Sequence, residues 1–336
     1  MLTKIEGDAA ANGCGPGQQL SVTTLLAYLV GSRQAILRIA GCPSATWVGI
    51  LFVFSAGFAR EYDGEDLLAA PWYLLIPLAM SFILATALYG LIAIVIRRPP
   101  VSRATLWSGY PMFLRLFWMT APLAWLYAIP VERLLSAGDA TRANLWLLGI
   151  VSVWRVVLIT RVISVLWNAR PAAVAMPVLL FADSVALLAL WLVPLPVVSL
   201  MGGIRLTESE QLIQGTAFLI GVLGTISWPV WFLATLVLIG WRRPWESREP
   251  APAVSPGVCT TSLWMVAASA LLVWLAVLPV TQPPQQLRRD VERRLYNGQI
   301  AAALKVMSEH QPSDFPAHWD PPPRPGYGET SPTLLM

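Results

Sequence analysis

Charged residues are scarce in this chain of 336 residues, and this shortage narrows the possible classes of protein. They make up 12% of the sequence, against roughly 25% in a soluble domain, so most of the surface cannot face water. The net charge of +4 is mild, and no basic stripe with interleaved aromatic residues is present. Nucleic acid is therefore not an expected partner.

Histidine is scarcer still, since only His310 and His318 occur. The sequence contains no Ser-His-Asp set, HExxH motif, Walker loop or GxGxxG loop in a usable context. We therefore expect no catalytic residue, no cofactor and no bound metal. The sequence favours a non-enzymatic role and leaves an intramembrane enzyme as an alternative.

The cysteines are few and widely spaced: Cys14, Cys42 and Cys259. Their spacing predicts neither a close pair nor a set of metal ligands. All three lie on the side assigned below to the cytoplasm, where thiols stay reduced. The first 19 residues lack an apolar core, so no cleavable signal peptide is expected.

Long apolar stretches are what the chain does contain. A bilayer core of about 30 Å needs about 20 apolar residues in a helix, and only a helix or a closed barrel satisfies the backbone in lipid. The segments are too long for barrel strands, so they predict an all-α polytopic membrane bundle of about seven transmembrane helices. The predicted spans are Ser44–Ala59, Trp72–Ile96, Thr105–Ile129, Asn144–Trp167, Val174–Leu200, Ile213–Gly240 and Val258–Val280.

Three regions follow from these spans. Residues 1–43 are expected to form a cytoplasmic tail, with an interfacial helix over 32–42 that Pro43 ends. Residues 44–280 form the transmembrane domain. Residues 281–336 form an extracytoplasmic tail with a short helical hairpin and a Pro-rich end of polyproline II type.

Arginine counts predict the orientation in the bilayer. Loops 97–104, 168–173 and 241–257 hold seven basic residues, whereas the intervening loops 60–71, 130–143 and 201–212 hold four, beside eight acidic ones. The first set is therefore predicted to be cytoplasmic. This places the N-terminus inside, the C-terminus outside, and the protein in the inner (cytoplasmic) membrane.

Four charged residues lie inside predicted spans: Arg115, Arg155, Arg161 and Asp183. A charge in the bilayer is costly and is normally paired or faces water. At 1.5 Å per residue, Asp183 lies about 15 Å above the inner boundary, between Arg161 at about 10 Å and Arg155 at about 20 Å. We therefore expect Asp183 to contact one of these arginines. The cluster is interpreted either as a structural ion pair or as a polar site in a substrate or ion path.

Prolines also interrupt several spans, as Pro122 does in the third. Broken helices build binding sites in transporters, but proline is also tolerated in ordinary membrane helices.

The first outer loop clusters the carboxylates Asp63, Glu65 and Asp66. Such a cluster could hold a hard cation, although its spacing does not match an EF-hand. The alternative is a plain solvated acidic loop.

The C-terminal tail shows a helical pattern followed by an aromatic, Pro-rich segment. The apolar residues expected to pack together are Leu287, Val291, Leu295, Leu304 and Met307. The residues of the following interaction motif are Phe315, His318, Trp319, Asp320 and Tyr327. We expect this motif to cover the hairpin or to bind a protein partner.

Three segments, Phe54–Gly64, Phe117–Tyr127 and His318–Pro323, resemble an uncharacterised family of bacterial multi-pass membrane proteins. The resemblance covers most of the chain and implies a membrane location. It implies no activity and no functional residues.

The favoured function is therefore a non-catalytic membrane scaffold or envelope assembly component. The alternatives are a transporter or channel component that uses the Arg/Asp cluster of helices three to five, and an intramembrane enzyme. A wet cavity that reaches Asp183 would favour transport, and a dry, packed Asp183 would favour a scaffold.

Overall fold

The computed structural model describes residues 19–62, 64–95, 109–131, 134–192, 207–240 and 257–316. Within these ranges the chain is almost entirely helical, which confirms the predicted all-α class. The α-helices are α1 (Val22–Leu29), α2 (Arg33–Ala40), α3 (Ala45–Glu61), α4 (Leu75–Val95), α5 (Tyr110–Trp118), α6 (Ala137–Leu166), α7 (Pro171–Leu192), α8 (Glu208–Gly240), α9 (Thr261–Thr281), α10 (Pro283–Tyr296) and α11 (Ile300–Ser308). Three 3₁₀ helices, Pro71–Leu74, Ala121–Ala128 and Pro312–Asp314, and two short strands, β1 (Gln19–Leu20) and β2 (Val258–Cys259), complete the described fold.

In the part of the chain that the structure describes, five helical segments are long and apolar enough to cross a membrane: Pro71–Val95, Ala137–Leu166, Pro171–Leu192, Glu208–Gly240 and Thr261–Thr281. Little of their surface is covered by the protein, and only 11% of the most apolar part of α8 is buried. Apolar side chains exposed over such lengths are stable in lipid and not in water. The chain is therefore a membrane protein, as its composition predicts.

The first predicted span corresponds to α3, which follows the short α2 after a bend of 107°. Pro43 lies in this bend, where its ring and missing N–H prevent a continuous helix. The helix predicted over 32–42 is present as α2, but Ile36 and Ile39 on its apolar face are buried against the rest of the protein. Together α2 and α3 make up a broken sixth crossing or a re-entrant segment by length and composition.

The third predicted span, Thr105–Ile129, is not one continuous helix in its described part. It consists of α5 and the 3₁₀ helix Ala121–Ala128. Pro122 has no N–H to donate to the carbonyl four residues earlier, so the regular ladder stops there. The Thr120 N–H turns instead to the Phe117 carbonyl at 3.3 Å.

A side chain of α1 binds to the backbone at the break in this span. The hydroxyl of Tyr28, which is fully buried, donates to the freed Leu116 carbonyl at 2.6 Å. The 3₁₀ helix then continues alongside α3, because Trp118 lies against Gly49 and the Trp125 indole donates to Ser55 at 2.9 Å. Residues 110–128 therefore run parallel to α3.

Helices α7 and α8 form an antiparallel pair at one side of the bundle. Gly221 and Gly224 of α8 face Leu190 and Leu187 of α7, and a Cβ at Gly224 would lie 3.2 Å from Leu187 Cδ2, so Leu187 would have to shift to admit it. Small residues allow close helix contact in membranes, where apolar burial does not drive helices together.

The tail hairpin of α10 and α11 packs around Val291 and Ala303, both fully buried. Gly298, with φ of 80°, makes the turn that a residue with a Cβ would make only under strain. The expectation that Leu304 lies in this core is wrong, since Leu304 is 40% exposed and Ala303 takes the inner position.

Candidate functional site

The four charged residues predicted to cluster in the spans lie at separate places in the structure. Arg115 of α5 donates from Nε to Thr46 Oγ1 at 3.0 Å and from Nη1 to the Ala40 carbonyl at 2.9 Å. Ala40 ends α2, where the helix dipole favours a cation. Arg115 therefore holds the bend between α2 and α3.

Asp183 has a different partner from the one expected. Its Oδ2 accepts a hydrogen bond from Ser227 Oγ at 2.5 Å, and the next pair along the helices joins Trp228 Nε1 to Ser184 Oγ at 2.9 Å. No hydrogen bond or ion pair within the described ranges joins Asp183 to an arginine. Similar depth in the bilayer does not bring Asp183 to an arginine of α6, because α8 rather than α6 presents a polar side chain to it.

The two arginines of α6 face the N-terminal helices. Arg161 is exposed, and its Nε donates to the Gly31 carbonyl at 3.4 Å. Six residues earlier, Arg155 places its guanidinium carbon 4.9 Å from the centre of the Phe117 ring. In the part of the chain that the structure describes, the Arg155 guanidinium makes no hydrogen bond.

A groove of about 400 Å³ lies between α7 and α8, and its lining is almost wholly apolar. Leu187, Phe218 and Ile226 contribute to it, whereas Asp183 does not. The groove therefore supplies no polar path to Asp183.

The acidic loop between α3 and the segment Pro71–Val95 contacts the C-terminal tail. Asp66 is 2% exposed, and its carboxylate accepts hydrogen bonds from the Ala69 N–H at 3.1 Å and from Gln286 Nε2 of α10. Arg289 Nη1 pairs with the same carboxylate at 3.1 Å. Glu65 is half-buried, and Asp63 lies outside the described residues.

Gln282 is the central residue of this docking. It joins α9 to α10, it is fully buried, and its amide bridges both sides of the loop. Its Oε1 accepts from the Leu67 N–H at 2.7 Å, and its Nε2 donates to the Tyr62 carbonyl at 2.7 Å. We call the set of Tyr62, Asp66, Leu67, Gln282, Gln286 and Arg289 the tail clamp.

Apolar contacts support the tail clamp from the bundle side. Phe58, Leu67, Leu74 and Leu278 form one buried cluster there. The Tyr62 and Trp274 rings lie 5.3 Å apart beside it. The C-terminal ends of α3 and α9 are thus joined to the tail through both apolar and polar contacts.

The tail clamp was not predicted from the sequence, although one signal for it exists. Gln282, Gln286 and Arg289 are spaced by four and three residues, which places them on one face of a helix. The loop residues they meet lie more than 200 positions away, so no local pattern identifies the partners.

The predicted interaction motif of the tail is described only at its start. Phe315 is half-buried and lies edge-on to His310, with ring centres 6.3 Å apart. His318, Trp319, Asp320 and Tyr327 lie outside the described residues. Among the described residues, no group of three or more His, Cys, Asp or Glu side chains could hold a metal ion.

No family model, curated protein or solved structure matches this chain. The resemblance to a family of bacterial multi-pass membrane proteins therefore stays a prediction.

Proposed function

We propose that this protein is a non-catalytic membrane scaffold, or envelope assembly component, that holds a small folded tail at the outer face of the cytoplasmic membrane. The tail clamp is the observation that supports this proposal most strongly. It fixes α10 to the first outer loop through two glutamine side chains and one ion pair. A hairpin held in this way has a defined position relative to the bilayer, which a scaffold requires.

The charged residues of the membrane domain support the same role. Arg115 binds α2 and α3, and Asp183 binds α8. Both are therefore used to position helices within the fold, and the groove beside Asp183 is apolar. These are the features expected of a packed structural bundle rather than of a polar path.

The proposed topology has seven crossings: α3, the segment Pro71–Val95, residues 110–128, and helices α6 to α9. Arg33 and Arg38 are exposed on α2, at the end of α3 where the chain enters the bundle. Positive residues favour the cytoplasmic side, and an odd number of crossings then places the tail outside. Reporter fusions after Arg170 should report the cytoplasm, and fusions after Asp139 should report the opposite side. A cytoplasmic signal after Asp139 would contradict this topology.

The tail hairpin carries apolar residues that face away from its own core. Tyr296 is 77% exposed, and Ile300 and Leu304, one turn apart on α11, are also exposed. Outside the bilayer these side chains would meet water, so we propose that they contact the apolar surface of an extracytoplasmic protein. The motif of Phe315, His318, Trp319, Asp320 and Tyr327 would extend this contact.

Chemical cross-linking in intact cells, followed by purification of the full chain in detergent, tests the scaffold proposal. A triple variant, with Tyr296, Ile300 and Leu304 changed to serine, should lose the cross-linked partner at unchanged protein level. A matched variant with Arg293→Ser and Glu309→Ser changes exposed polar residues of the same hairpin and should retain it. An identical cross-linked set in wild type and in both variants, or none in wild type, would overturn the proposal.

One observation favours transport as a second candidate function. The Arg155 guanidinium rests on Phe117 without an anionic partner among the described residues. An intramembrane cation of this kind could bind a carboxylate or a phosphate group. Uptake of labelled carboxylates and phosphates into proteoliposomes should then fall at least tenfold in Arg155→Met. Equal uptake in wild type, in Arg155→Met and in protein-free vesicles would dismiss this candidate.

A further inference from the structure

Three distant segments of the chain meet where α3 and α9 begin. The strands β1 and β2 pair in parallel and set Leu20 opposite Cys259. The bend between α2 and α3 joins them, because the Gly257 N–H donates to the Gly41 carbonyl at 3.3 Å. The Cys259 N–H also donates to Ser44 Oγ at 3.2 Å. The backbone at Cys259 and just before it is therefore fixed against the bend that contains Cys42.

This junction brings two thiols together that lie 217 positions apart in the sequence. The Sγ atoms of Cys42 and Cys259 are 3.7 Å apart and hydrogen-bonded, and both residues are buried as free cysteines. The expectation that no cysteines form a close pair is thus wrong. A disulfide needs sulfurs about 2.05 Å apart, so the two sulfurs must approach by about 1.6 Å to form one.

The two thiols are not chemically equivalent. The hydrogen bond from the Cys259 thiol lowers the pKa of Cys42 to about 6, against the opposing effect of burial, and the Ser44 hydroxyl adds to the lowering. The same bond raises the pKa of Cys259, and burial acts in the same direction. Cys42 is the sulfur whose pKa is lowered, and the Ser44 hydroxyl lies 3.1 Å from it, so we assign the attacking thiolate to Cys42.

We propose that Cys42 and Cys259 are a modification site, at which a low-molecular-weight disulfide such as oxidised glutathione forms a reversible disulfide between α3 and α9. The Cys42 thiolate attacks one sulfur of the small disulfide and expels the other as a thiolate, which takes up a proton. Cys259 then loses its proton and attacks the Cys42 sulfur, which releases the second small thiol. The protein loses two thiols, the small disulfide becomes two thiols, and an excess of reduced thiol reverses both steps.

Both sulfurs are buried, but they lie next to exposed residues. Pro43 follows Cys42 directly, and Val258, which is 66% exposed, precedes Cys259. Local opening of the bend is enough to admit a small disulfide, so the rate should depend on that opening. The new bond would tie the first long helix of the bundle to the last one. It would therefore control whether these two helices can separate at their proposed cytoplasmic ends.

The test uses the full chain in detergent with Cys14→Ser, which leaves only the two cysteines in question. After incubation with oxidised glutathione at pH 7, the protein is unfolded in SDS and labelled with a maleimide polymer of 5 kDa. The reduced protein should take two labels and the oxidised protein none, and dithiothreitol should restore both. Each matched variant that also carries Cys42→Ser or Cys259→Ser has one cysteine left. After oxidation, that cysteine should either take one label or hold one glutathione.

Two labels on the oxidised Cys14→Ser protein would overturn the proposal. A stable glutathione adduct on both cysteines, or a disulfide-linked dimer, would also overturn it, because the two sulfurs would not have joined within one chain. If the Cys14→Ser protein does not accumulate, mass spectrometry of the oxidised wild type gives the same decision. A cross-linked peptide pair that contains Cys42 and Cys259 supports the site, and its absence from a digest that covers both peptides refutes it.

Discussion

Replacing Gln282 should release the tail from the bundle while leaving the membrane domain folded. The side chain is fully buried and makes two hydrogen bonds of 2.7 Å, one to the Leu67 N–H and one to the Tyr62 carbonyl. Gln282→Ala removes the side-chain amide, so the Leu67 N–H and the Tyr62 carbonyl both lose their hydrogen-bond partner. A buried polar group that loses its partner costs about 1–3 kcal/mol, and water that enters the shortened site would recover part of this.

The expected loss in the free energy of tail docking is therefore about 2–4 kcal/mol. Since each 1.4 kcal/mol is a factor of ten, the undocked population should rise about 30- to 700-fold. Hydrogen exchange measured by mass spectrometry on the detergent-solubilised protein reports this rise as faster exchange of the α10 amides. Exchange in α6 should stay unchanged, because no residue of the tail clamp or of its apolar cluster belongs to that helix.

Two further variants separate the hydrogen bonds from packing and from the chemical change itself. Gln282→Met keeps nearly the same volume without polar atoms, so it should lose most of the protection that Gln282→Ala loses. Gln34→Ala makes the same substitution at an exposed position of α2 and should have no effect on α10. If α10 exchange in Gln282→Ala stays within threefold of wild type, the glutamine does not hold the tail.

The other predictions concern the remaining polar contacts. Arg289→Ala should weaken tail docking by about 2 kcal/mol. This is less than the roughly 3–5 kcal/mol of a fully buried pair, because the Arg289 side chain is 35% exposed. The control variant Arg293→Ala should not affect α10 exchange. A double-mutant cycle of Asp183→Ala and Ser227→Ala should give a coupling free energy of about 0.6–1.7 kcal/mol in thermal unfolding, and additive effects would show that the bond contributes nothing. Asp183→Asn keeps an acceptor for Ser227 and should unfold near the wild-type temperature, a result that pairing with an arginine would not allow. The first step, release of one small thiol when the Cys14→Ser protein reacts with excess oxidised glutathione, should slow as the pH falls through about 6, because Cys42 then gains the proton that blocks attack. A rate that instead keeps rising steeply from pH 7 to 9 would indicate an ordinary thiol with a pKa of about 8.5.

Much of the architecture could be predicted from local sequence. The membrane location follows from apolar length, and the all-α class follows because backbone groups in lipid must be satisfied within each segment. The hairpin of α10 and α11 also follows from its apolar spacing and from the Asn297-Gly298 turn. These properties depend on residues within about 20 positions of one another, the length of one membrane-spanning helix, so a pattern in the local sequence is enough to predict them.

Local rules were less successful where a helix is interrupted. Pro122 predicts a kink, but the sequence does not show that Tyr28 would satisfy the Leu116 carbonyl at the break. The exposed position of Leu304 and the buried position of Ala303 depend on the rotation of α11 about its axis. A shift of one residue moves a side chain by about 100° around a helix, so the apolar pattern alone leaves the inner face uncertain.

The helical class, the apolar length of most segments and the asymmetry of arginine between their ends follow from the sequence. Which residues meet depends on the tertiary structure: Asp183 with Ser227, Gln282 with the loop after α3, and Cys42 with Cys259. The physical reason is that depth in the bilayer is set along each segment, whereas the neighbours of a helix and its rotation are set by packing among all of them. In lipid this packing depends on close fit and polar contacts rather than on apolar burial, and neither is encoded in the hydropathy of a single segment.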